Sequence, residues 1–169
     1  MNFFQVIYTK ILNEAKLEGF DEIVASNPYI AKGIRLCRAI EDIGGPNSEA
    51  LIVGGAVRDM VLRRPINDVD IGTNVDLAKI EKHFKSDNIG KSKDFGIINV
   101  HFEDEQFEVA HFRQESEYTN SRHPDKVELV KTFKGDSERR DFTWNAMGLN
   151  ADGQIVDYHN GLEDLKAGI

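Results

Sequence analysis

Residues 50–73 read ALIVGGAVRDMVLRRPINDVDIGT, and this stretch combines the patterns of a strand, a turn, a helix and a second strand. The first four residues are apolar throughout, as in a short buried strand. After two glycines, AVRDMVLRR is amphipathic and must end before Pro65, because proline disfavours helical backbone in the residue that precedes it. The segment DVDIGT then predicts a strand that carries two acidic residues.

Asp68 and Asp70 lie on the same face of this predicted strand, because side chains two residues apart point the same way. Val69 and Ile71 would then face the core. Two neighbouring carboxylates repel each other, and a divalent cation such as Mg²⁺, which prefers oxygen ligands, relieves that repulsion. The pair therefore indicates a metal site, and the alternative is an edge strand with two acids on its solvent-exposed face.

Gly54 and Gly55 lie between the first strand and the helix, at a position suited to an anion. Glycine lets a phosphate group approach the backbone, and the first N–H groups of a helix are free to bind it. Arg58, one turn further on, can add a charge-assisted hydrogen bond. The alternative is a tight turn with a surface arginine, but a glycine turn followed by an aspartate pair favours a phosphate site beside a metal site.

The rest of the chain mixes helices and strands, which predicts an α+β fold with a small mixed sheet backed by helices. The other predicted elements are helices over 3–17 and 29–43, a stop at GGPNS (44–48), a helix over 76–85, a hairpin of GIINVHF (96–102) and QFEVAHFR (106–113), a mobile loop over 114–126, a strand over 127–133, a helix over 136–150 with Asp136 or Ser137 as its N-cap, and a short strand with turns over 153–169.

Glu108 is an acid near the middle of an apolar strand of the predicted hairpin, between Phe107 and Val109. A third carboxylate on a neighbouring strand would complete a site for two metal ions, which needs ligands for both. The alternative is a cross-strand partner for a lysine or an arginine.

Residues 136–150 read DSERRDFTWNAMGLN and are predicted as one helix. Because residues four apart share a helical face, Phe142 and Ala146 would face the core, and Asp141 and Asn145 would form a polar stripe able to bind hydroxyls or a base. The alternative is a helix with arginine–aspartate pairs on its surface, which contribute little to stability.

The composition is that of a globular domain, with 169 residues and a net charge of −8 from 21 basic and 29 acidic residues. An excess of acid disfavours non-specific binding to nucleic acid, which needs clustered lysine and arginine. The one cysteine, Cys37, excludes an internal disulfide and favours a reducing, cytoplasmic setting. No apolar run is long enough to span a membrane, and the first residues lack the pattern of a signal peptide.

Four segments, in this order, resemble the head domain of class II tRNA nucleotidyltransferases, the family of CCA-adding enzymes and bacterial poly(A) polymerases: LIVGGAVRD, NDVDIGT, FEVAHFR and RRDFTWNAM. The resemblance runs from about Leu51 to Ile169. It implies a polymerase-β-like palm over residues 49–169, with residues 1–48 as an added helical extension. In this family a base-reading domain and tRNA-binding domains follow the head, and we expect them to be missing from this chain.

The resemblance also implies a role for each site residue. Asp68 and Asp70 would bind the metals, with Glu108 as the third catalytic acid; Gly54, Gly55 and Arg58 would hold the triphosphate; and Arg140 and Asp141 would recognise the ribose 2′-hydroxyl, supported by Arg139 and Asn145. The loop over 114–126 would help the switch from adding C to adding A.

The expected reaction transfers CMP or AMP from CTP or ATP to the 3′ end of a tRNA, with Mg²⁺ as the metal in a two-metal mechanism. Alternatives within the family are poly(A) addition and a head that binds nucleotide but is inactive without a partner domain. A transferase that modifies a protein or a small molecule is disfavoured by RRDFTWNAM, a pattern particular to the RNA-acting family.

Overall fold

The computed structural model describes residues 14–87, 95–116 and 126–168. The strands are β1 Glu14–Lys16, β2 Ala50–Val53, β3 Asp70–Thr73, β4 Ser86–Asp87, β5 Ile97–Phe102, β6 Glu105–His111, β7 Arg113–Ser116, β8 Lys126–Leu129, β9 Met147–Leu149 and β10 Gln154–Asp157. The helices are α1 Phe20–Ser26, α2 Pro28–Gly44, α3 Gly55–Val61, α4 Leu77–Glu81, α5 Phe133–Ser137 and α6 Gly161–Ala167, and a 3-10 turn covers Thr143–Asn145.

The main sheet of the described residues has eight strands in the order β1-β10-β9-β2-β3-β6-β5-β4. Strands β3 and β6 are parallel, and every other neighbouring pair in this sheet is antiparallel. Strands β7 and β8 form a separate antiparallel pair. The expected mixed sheet backed by helices is thus confirmed, and its one parallel pair lies at its centre.

Helix α2 covers one face of the sheet, close to the prediction for residues 29–43. Asn27 caps its N-terminus by accepting hydrogen bonds from the backbone N–H groups of Tyr29 and Ile30, both at 3.1 Å. It ends at Gly44, where Gly45 has a φ of 82° that favours glycine, as GGPNS predicted. Its apolar side packs into the main core, where its buried residues are Ile30, Ile34, Leu36, Cys37 and Ile40.

Strand β2 shows how the sheet separates two clusters of apolar side chains. Ile52 belongs to the main core with α2, whereas Leu51 and Val53 pack on the opposite face against Phe112 and Phe133. Alternation along a strand sends neighbouring side chains to opposite faces. Because both faces at β2 are covered, the run ALIV is apolar at every position, as in a fully buried strand.

The prediction of a helix over residues 3–17 is wrong at its end, and its first part, residues 1–13, lies outside the described residues. Residues 14–16 form β1, which pairs with β10 at the edge of the sheet. Backbone pairing with a neighbouring strand overrides the strong helical preference of Glu, Ala and Lys here. Helix α1, residues 20–26, was not predicted.

Other expected elements are shifted or shortened. The helices predicted over 56–64 and 76–85 cover Gly55–Val61 and Leu77–Glu81. The hairpin is confirmed as β5 and β6, joined through Glu103 and Asp104 with φ of 48° and 64°. The loop predicted over 114–126 is wrong at both ends, because 113–116 and 126–129 are paired strands, and residues 117–125 lie outside the described ranges. The strand predicted over 127–133 ends at Leu129, and Phe133 begins α5.

In the described ranges no helix combines the length and the apolar character needed to cross a lipid bilayer.

Candidate functional site

Three acidic side chains project outward from two neighbouring strands at the centre of the sheet. Asp70 is the first residue of β3, and Val69 and Ile71 beside it are buried, as the alternation predicted. Asp68 and Asp70 are both exposed. The parallel register pairs Ile71 with Val109, so Asp70 stands level with Glu108 on β6, which is also exposed.

These carboxylates repel one another. Desolvation raises the pKa of Asp70, and the charges of Glu108 and Asp68 raise it further, while Arg140 acts in the opposite direction. Among the described residues, none of the three acids makes a hydrogen bond or an ion pair. Within the described residues, the charge of Arg140 offsets part of this repulsion, and no direct ion pair neutralises it.

The donor set fits a hard divalent cation. Carboxylate oxygens are the ligands that Mg²⁺ prefers, and Mg²⁺ often takes only one or two of them, with the remaining ligands from water and substrate phosphates. Within residues 14–87, 95–116 and 126–168, no group of three or more His, Cys, Asp or Glu side chains is arranged to hold a metal ion. The three acids therefore lie close together without forming a complete metal site by themselves.

The turn after β2 lies beside these acids, because Val53 is paired with Asp70 in the antiparallel register. Gly54 has φ 71° and ψ −135°, a conformation that favours glycine, and its N–H donates to the carbonyl of Met147 at 3.2 Å. A Cβ atom at Gly54 would lie 3.3 Å from Nη1 of Arg140. Gly54 therefore leaves room for the Arg140 guanidinium next to the acids.

Arg58 is more constrained than the sequence indicated. Its Nε and Nη2 donate to the two carboxylate oxygens of Asp59 at 2.8 and 2.9 Å. Its Nη1 donates to Oδ1 of Asn145 at 3.4 Å, and its guanidinium lies 5.4 Å from the ring centroid of Trp144. The charge of Arg58 is thus partly neutralised before any ligand binds, while its position beside Gly55 is retained.

The prediction of a single helix over 136–150 is wrong. Helix α5 ends at Ser137, a 3-10 turn covers 143–145, and β9 begins at Met147. Phe142 and Ala146 do not face the core together: Ala146 is buried, but Phe142 is 53% exposed and stacks on Trp144 with 4.6 Å between ring centroids. The polar stripe of Asp141 and Asn145 is therefore absent, because the backbone between them is not an α-helix.

Asp136 organises this segment, a role that sequence reasoning missed. It is 2% exposed and accepts hydrogen bonds from Arg139 Nε at 3.1 Å, from Arg140 Nη2 at 2.9 Å and from the backbone N–H of Arg113 at 3.0 Å. The predicted N-cap at Asp136 or Ser137 is wrong, since Thr132 caps α5. The spacing of Asp136 from the two arginines, three and four residues, was the available signal.

The neighbouring residues Arg139 and Arg140 contact different parts of the structure. Arg140 lies against Gly54 and donates from Nη1 to the carbonyl of Asn145 at 3.4 Å. Arg139 instead lies 3.5 Å from a carboxylate oxygen of Glu115 on β7. Asp141 is exposed and makes no hydrogen bond or ion pair with another described residue. The structure thus gathers Gly54, Arg58, Arg140 and Asn145 beside the acids, and places Arg139 further towards β7.

The chain has a mixed sheet with outward acids on its central strands, next to a glycine turn. Its likeness to solved structures shows that this is the polymerase-β-like nucleotidyltransferase fold. Residues 50–169 match the family described as the poly A polymerase head domain, and the chain belongs to that family.

Relatives and solved structures agree with this assignment. The chain is 44% identical over 126 residues to a CCA-adding enzyme of Enterococcus faecalis, covering 75% of this chain and 31% of that protein. It is similar to the crystal structure of the Bacillus stearothermophilus CCA-adding enzyme in complex with CTP, with a TM-score of 0.71, 30% identity, and coverage of 83% of this chain and 32% of that one.

A third similarity is to a tRNA nucleotidyltransferase complexed with a primer tRNA and an incoming ATP analog, with a TM-score of 0.55, 26% identity, and coverage of 79% of this chain and 36% of that one. The chain spans about a third of the length of the curated relatives it matches.

Proposed function

We propose that this chain is the catalytic head of an RNA nucleotidyltransferase that adds CMP and AMP, from CTP and ATP, to the 3′ end of tRNA. The observation that supports this most directly is the alignment of Asp70 with Glu108 across parallel strands, beside the glycine turn that Arg140 approaches. Sequence relatives are named CCA-adding enzymes, and solved relatives contain CTP, or a primer tRNA with an ATP analog.

In this proposal the acids hold a divalent cation, Mg²⁺, through Asp68 and Asp70, with Glu108 as the third acid. Bound there, Mg²⁺ would neutralise charge that develops on the transferring phosphoryl group. The raised pKa of Asp70 and the mutual repulsion of the acids support a cation at this position.

The glycine turn and the basic side chains would hold the substrate. Gly54 and Gly55 leave the backbone open to a triphosphate, and Arg58 and Arg140 border that space. We propose that Arg140 and Asp141 recognise the ribose 2′-hydroxyl. Arg139 and Asn145 would support them, since Arg139 shares Asp136 with Arg140 and the carbonyl of Asn145 accepts from Arg140.

The reaction forms one bond and breaks one. The 3′-hydroxyl oxygen of the RNA bonds to the α-phosphorus of the nucleotide, the bond from that phosphorus to the bridging oxygen breaks, and pyrophosphate leaves while the hydroxyl proton passes to solvent. We further propose that the protein works in the cytoplasm, because its single cysteine is a buried free thiol.

The net charge of −8 favours a second candidate, a head that binds nucleotide but needs another domain to hold RNA. Poly(A) addition uses the same proposed site and differs in its product. Incubation of the chain with Mg²⁺, labelled CTP and ATP, and tRNA without its 3′ end separates the three, because the products are CCA, a long run of A, or no extension despite Mg²⁺-dependent CTP binding.

Asp70→Asn is the matched control for that experiment. It keeps the shape of the side chain and removes the charge that a cation needs, so we expect loss of both transfer and Mg²⁺-dependent nucleotide binding. Full activity in this variant would reject the proposed role of Asp70.

A further inference from the structure

A cluster of charged side chains joins the two-stranded sheet of β7 and β8 to the segment that follows α5. Within the described residues, it contains the guanidinium groups of Arg113, Arg139 and Arg140 and the carboxylates of Glu115 and Asp136. These side chains are largely buried, with exposed fractions between 4% and 20%. Three positive charges therefore face two negative charges in a region where water screens them poorly.

Strand β7 contributes two members of the cluster through its alternation. Arg113 and Glu115 are two residues apart in β7, so their side chains share a face. Gln114 between them is exposed, and its amide donates to a carboxylate oxygen of Glu128 on β8 at 3.2 Å. Oε1 of Glu115 lies 3.7 Å from Nη2 of Arg113 and 3.5 Å from Nη1 of Arg139. Glu115 therefore pairs with arginines from two separate segments of the chain.

The two oxygens of Asp136 bind different arginines. Oδ1 accepts hydrogen bonds from the backbone N–H of Arg113 at 3.0 Å and from Nε of Arg139 at 3.1 Å. Oδ2 accepts from Nε and Nη2 of Arg140 at 3.2 and 2.9 Å. These last two hydrogen bonds orient the guanidinium of Arg140, whose Nη1 lies beside Gly54.

Arg113 indicates that the cluster has too little negative charge. Its Nε is buried and has no hydrogen-bond partner in the described part of the chain. Burial lowers the pKa of Arg113 and the charge of Arg139 lowers it further, whereas Glu115 and Asp136 raise it. Loss of the Glu115 charge would leave the three guanidinium groups with Asp136 as their anion.

Arg139 lies between the two acids. Its Nη1 faces Glu115 at 3.5 Å, and its Nη2 lies 3.1 Å from Oδ1 of Asp136. Without the charge of Glu115, Asp136 alone would attract Arg139, and two guanidinium groups on one carboxylate repel each other. Arg139 would then compete with Arg140 for Asp136, and Arg140 would lose its fixed orientation.

We propose that Glu115 is a positioning residue for the nucleotide site: by pairing with Arg139, it leaves Oδ2 of Asp136 to Arg140 and keeps Arg140 at Gly54, where Arg140 selects a ribonucleotide. The inference rests on the proposed function, in which Arg140 recognises the ribose 2′-hydroxyl. It gives β7 a part in the choice of the sugar, because Glu115 acts through Arg139 and Arg140 and not by contact with the nucleotide.

Glu115→Gln tests the role of this charge, because it keeps the size of the side chain and removes the negative charge. Glu128→Gln is the matched control. Glu128 lies on the paired strand β8, where it is exposed and contacts Gln114 instead of the cluster. Affinity for CTP and for dCTP is measured with Mg²⁺ by calorimetric titration, at a temperature at which the wild-type chain and both variants are folded.

We expect the wild-type chain and Glu128→Gln to bind CTP about fivefold more tightly than dCTP, the effect of one hydrogen bond. Glu115→Gln should lose most of this preference. A change that only weakened the fold would lower the affinity for both nucleotides and leave their ratio unchanged. An undiminished preference in Glu115→Gln, or an equal loss in the two variants, overturns the inference.

A double-mutant cycle tests whether Glu115 acts through Arg139. The loss of preference caused by Glu115→Gln should be smaller in a chain that already carries Arg139→Gln, because the competing guanidinium is then absent. Equal losses in the two backgrounds would show that Glu115 does not act through Arg139 and would reject the inference.

The two proposals fail in distinguishable ways. Mg²⁺-dependent CTP binding that Asp70→Asn abolishes supports the proposed function whatever the result for Glu115→Gln. If CTP binding shows this behaviour and the preference for CTP over dCTP survives in Glu115→Gln, the positioning role alone is wrong. If the wild-type chain binds CTP and dCTP equally, the ribose contact of Arg140 is wrong and the role of Glu115 fails with it. If CTP binding does not depend on Mg²⁺, the proposed function fails and the inference fails with it.

Discussion

Asp70 is a residue whose charge lowers the stability of the folded protein. Its carboxylate faces Glu108 and Asp68, and the resulting rise in its pKa means that the charged form is disfavoured in the folded protein. In the proposed function, a bound cation would relieve this local repulsion.

Without a divalent cation, Asp70→Asn should raise the melting temperature by about 1–2 °C, the size expected for a surface change of a few tenths of a kcal/mol. The pKa of Asp70 is above its ordinary 3.8 in the folded state, so protonation favours folding, and this contribution is lost as pH rises through the folded-state pKa. Thermal unfolding of both proteins from about pH 4 to 7 should show the difference between them growing with pH. A variant less stable than the wild type at neutral pH would contradict this account.

Asp136, unlike Asp70, stabilises the folded protein, because it is a buried carboxylate whose charge is compensated by Arg139 and Arg140. Asp136→Asn should cost about 3 kcal/mol, since it leaves the guanidinium groups without their anion. That corresponds to a fall in melting temperature of roughly 6–12 °C. Nucleotide affinity should fall as well, because Arg140 loses the group that directs it to Gly54.

Asp152→Asn is the matched control for this prediction. Asp152 also pairs with an arginine, Arg38, at 3.4 Å, but its side chain is 80% exposed. Exposed pairs contribute little, so the melting temperature should change by less than about 2 °C. Similar losses in the two variants would show that burial of Asp136 is not what makes it important.

At the scale of the elements, the connection from β2 to α3 depends on one backbone conformation. Gly54 combines a positive φ with close approach of Arg140, so a side chain there meets both backbone strain and a guanidinium group. The glycine seen in the sequence at position 54 is therefore required both by the backbone conformation and by the closeness of Arg140.

Gly54→Ala should reduce stability by about 1–3 kcal/mol through backbone strain and should also weaken nucleotide binding by displacing Arg140. Gly45→Ala is the matched control, because Gly45 has a φ of 82° and no atom within 4 Å of its Cβ position. We expect calorimetry to show comparable destabilisation in the two variants, and titration with Mg²⁺ and CTP to show weaker binding only in Gly54→Ala. Equal nucleotide affinity in both would argue against the proximity of Arg140 as the reason for glycine.

At the scale of the whole molecule, the segment before the family match is part of the same hydrophobic core. Leu17, Ile30 and Leu36 are buried with residues of β2, β3 and β6, and β1 extends the sheet. The division of the chain into residues 1–48 and 49–169 remains a prediction, and residues of α1 and α2 share the core of the sheet.

A chain that begins at residue 49 should therefore fail to fold cooperatively, because it exposes the face of the sheet that α2 covers. A chain that begins at residue 14 retains β1, α1 and α2 and should unfold in one transition. Circular dichroism during heating distinguishes the two, and a cooperative transition in the shorter chain would show that α2 is dispensable for the fold.

The sequence by itself determined the local chemistry of residues 50–73. The alternation that turns Asp68 and Asp70 outward and the conformational freedom of Gly54 depend on neighbouring residues, so they could be predicted without a structure. The same is true of helix α2 and of the β5–β6 hairpin, whose signals are also local.

The tertiary structure decided how distant segments meet. The parallel register that sets Glu108 level with Asp70 and the burial of Asp136 each depend on residues far apart in the chain. Residues 136–150 were mispredicted for the same reason. Their helical spacing is real, but pairing of β9 with β2 and the arginine contacts of Asp136 stabilise a different backbone. Helical preference amounts to less than about 1 kcal/mol per residue, and such long-range contacts outweigh it.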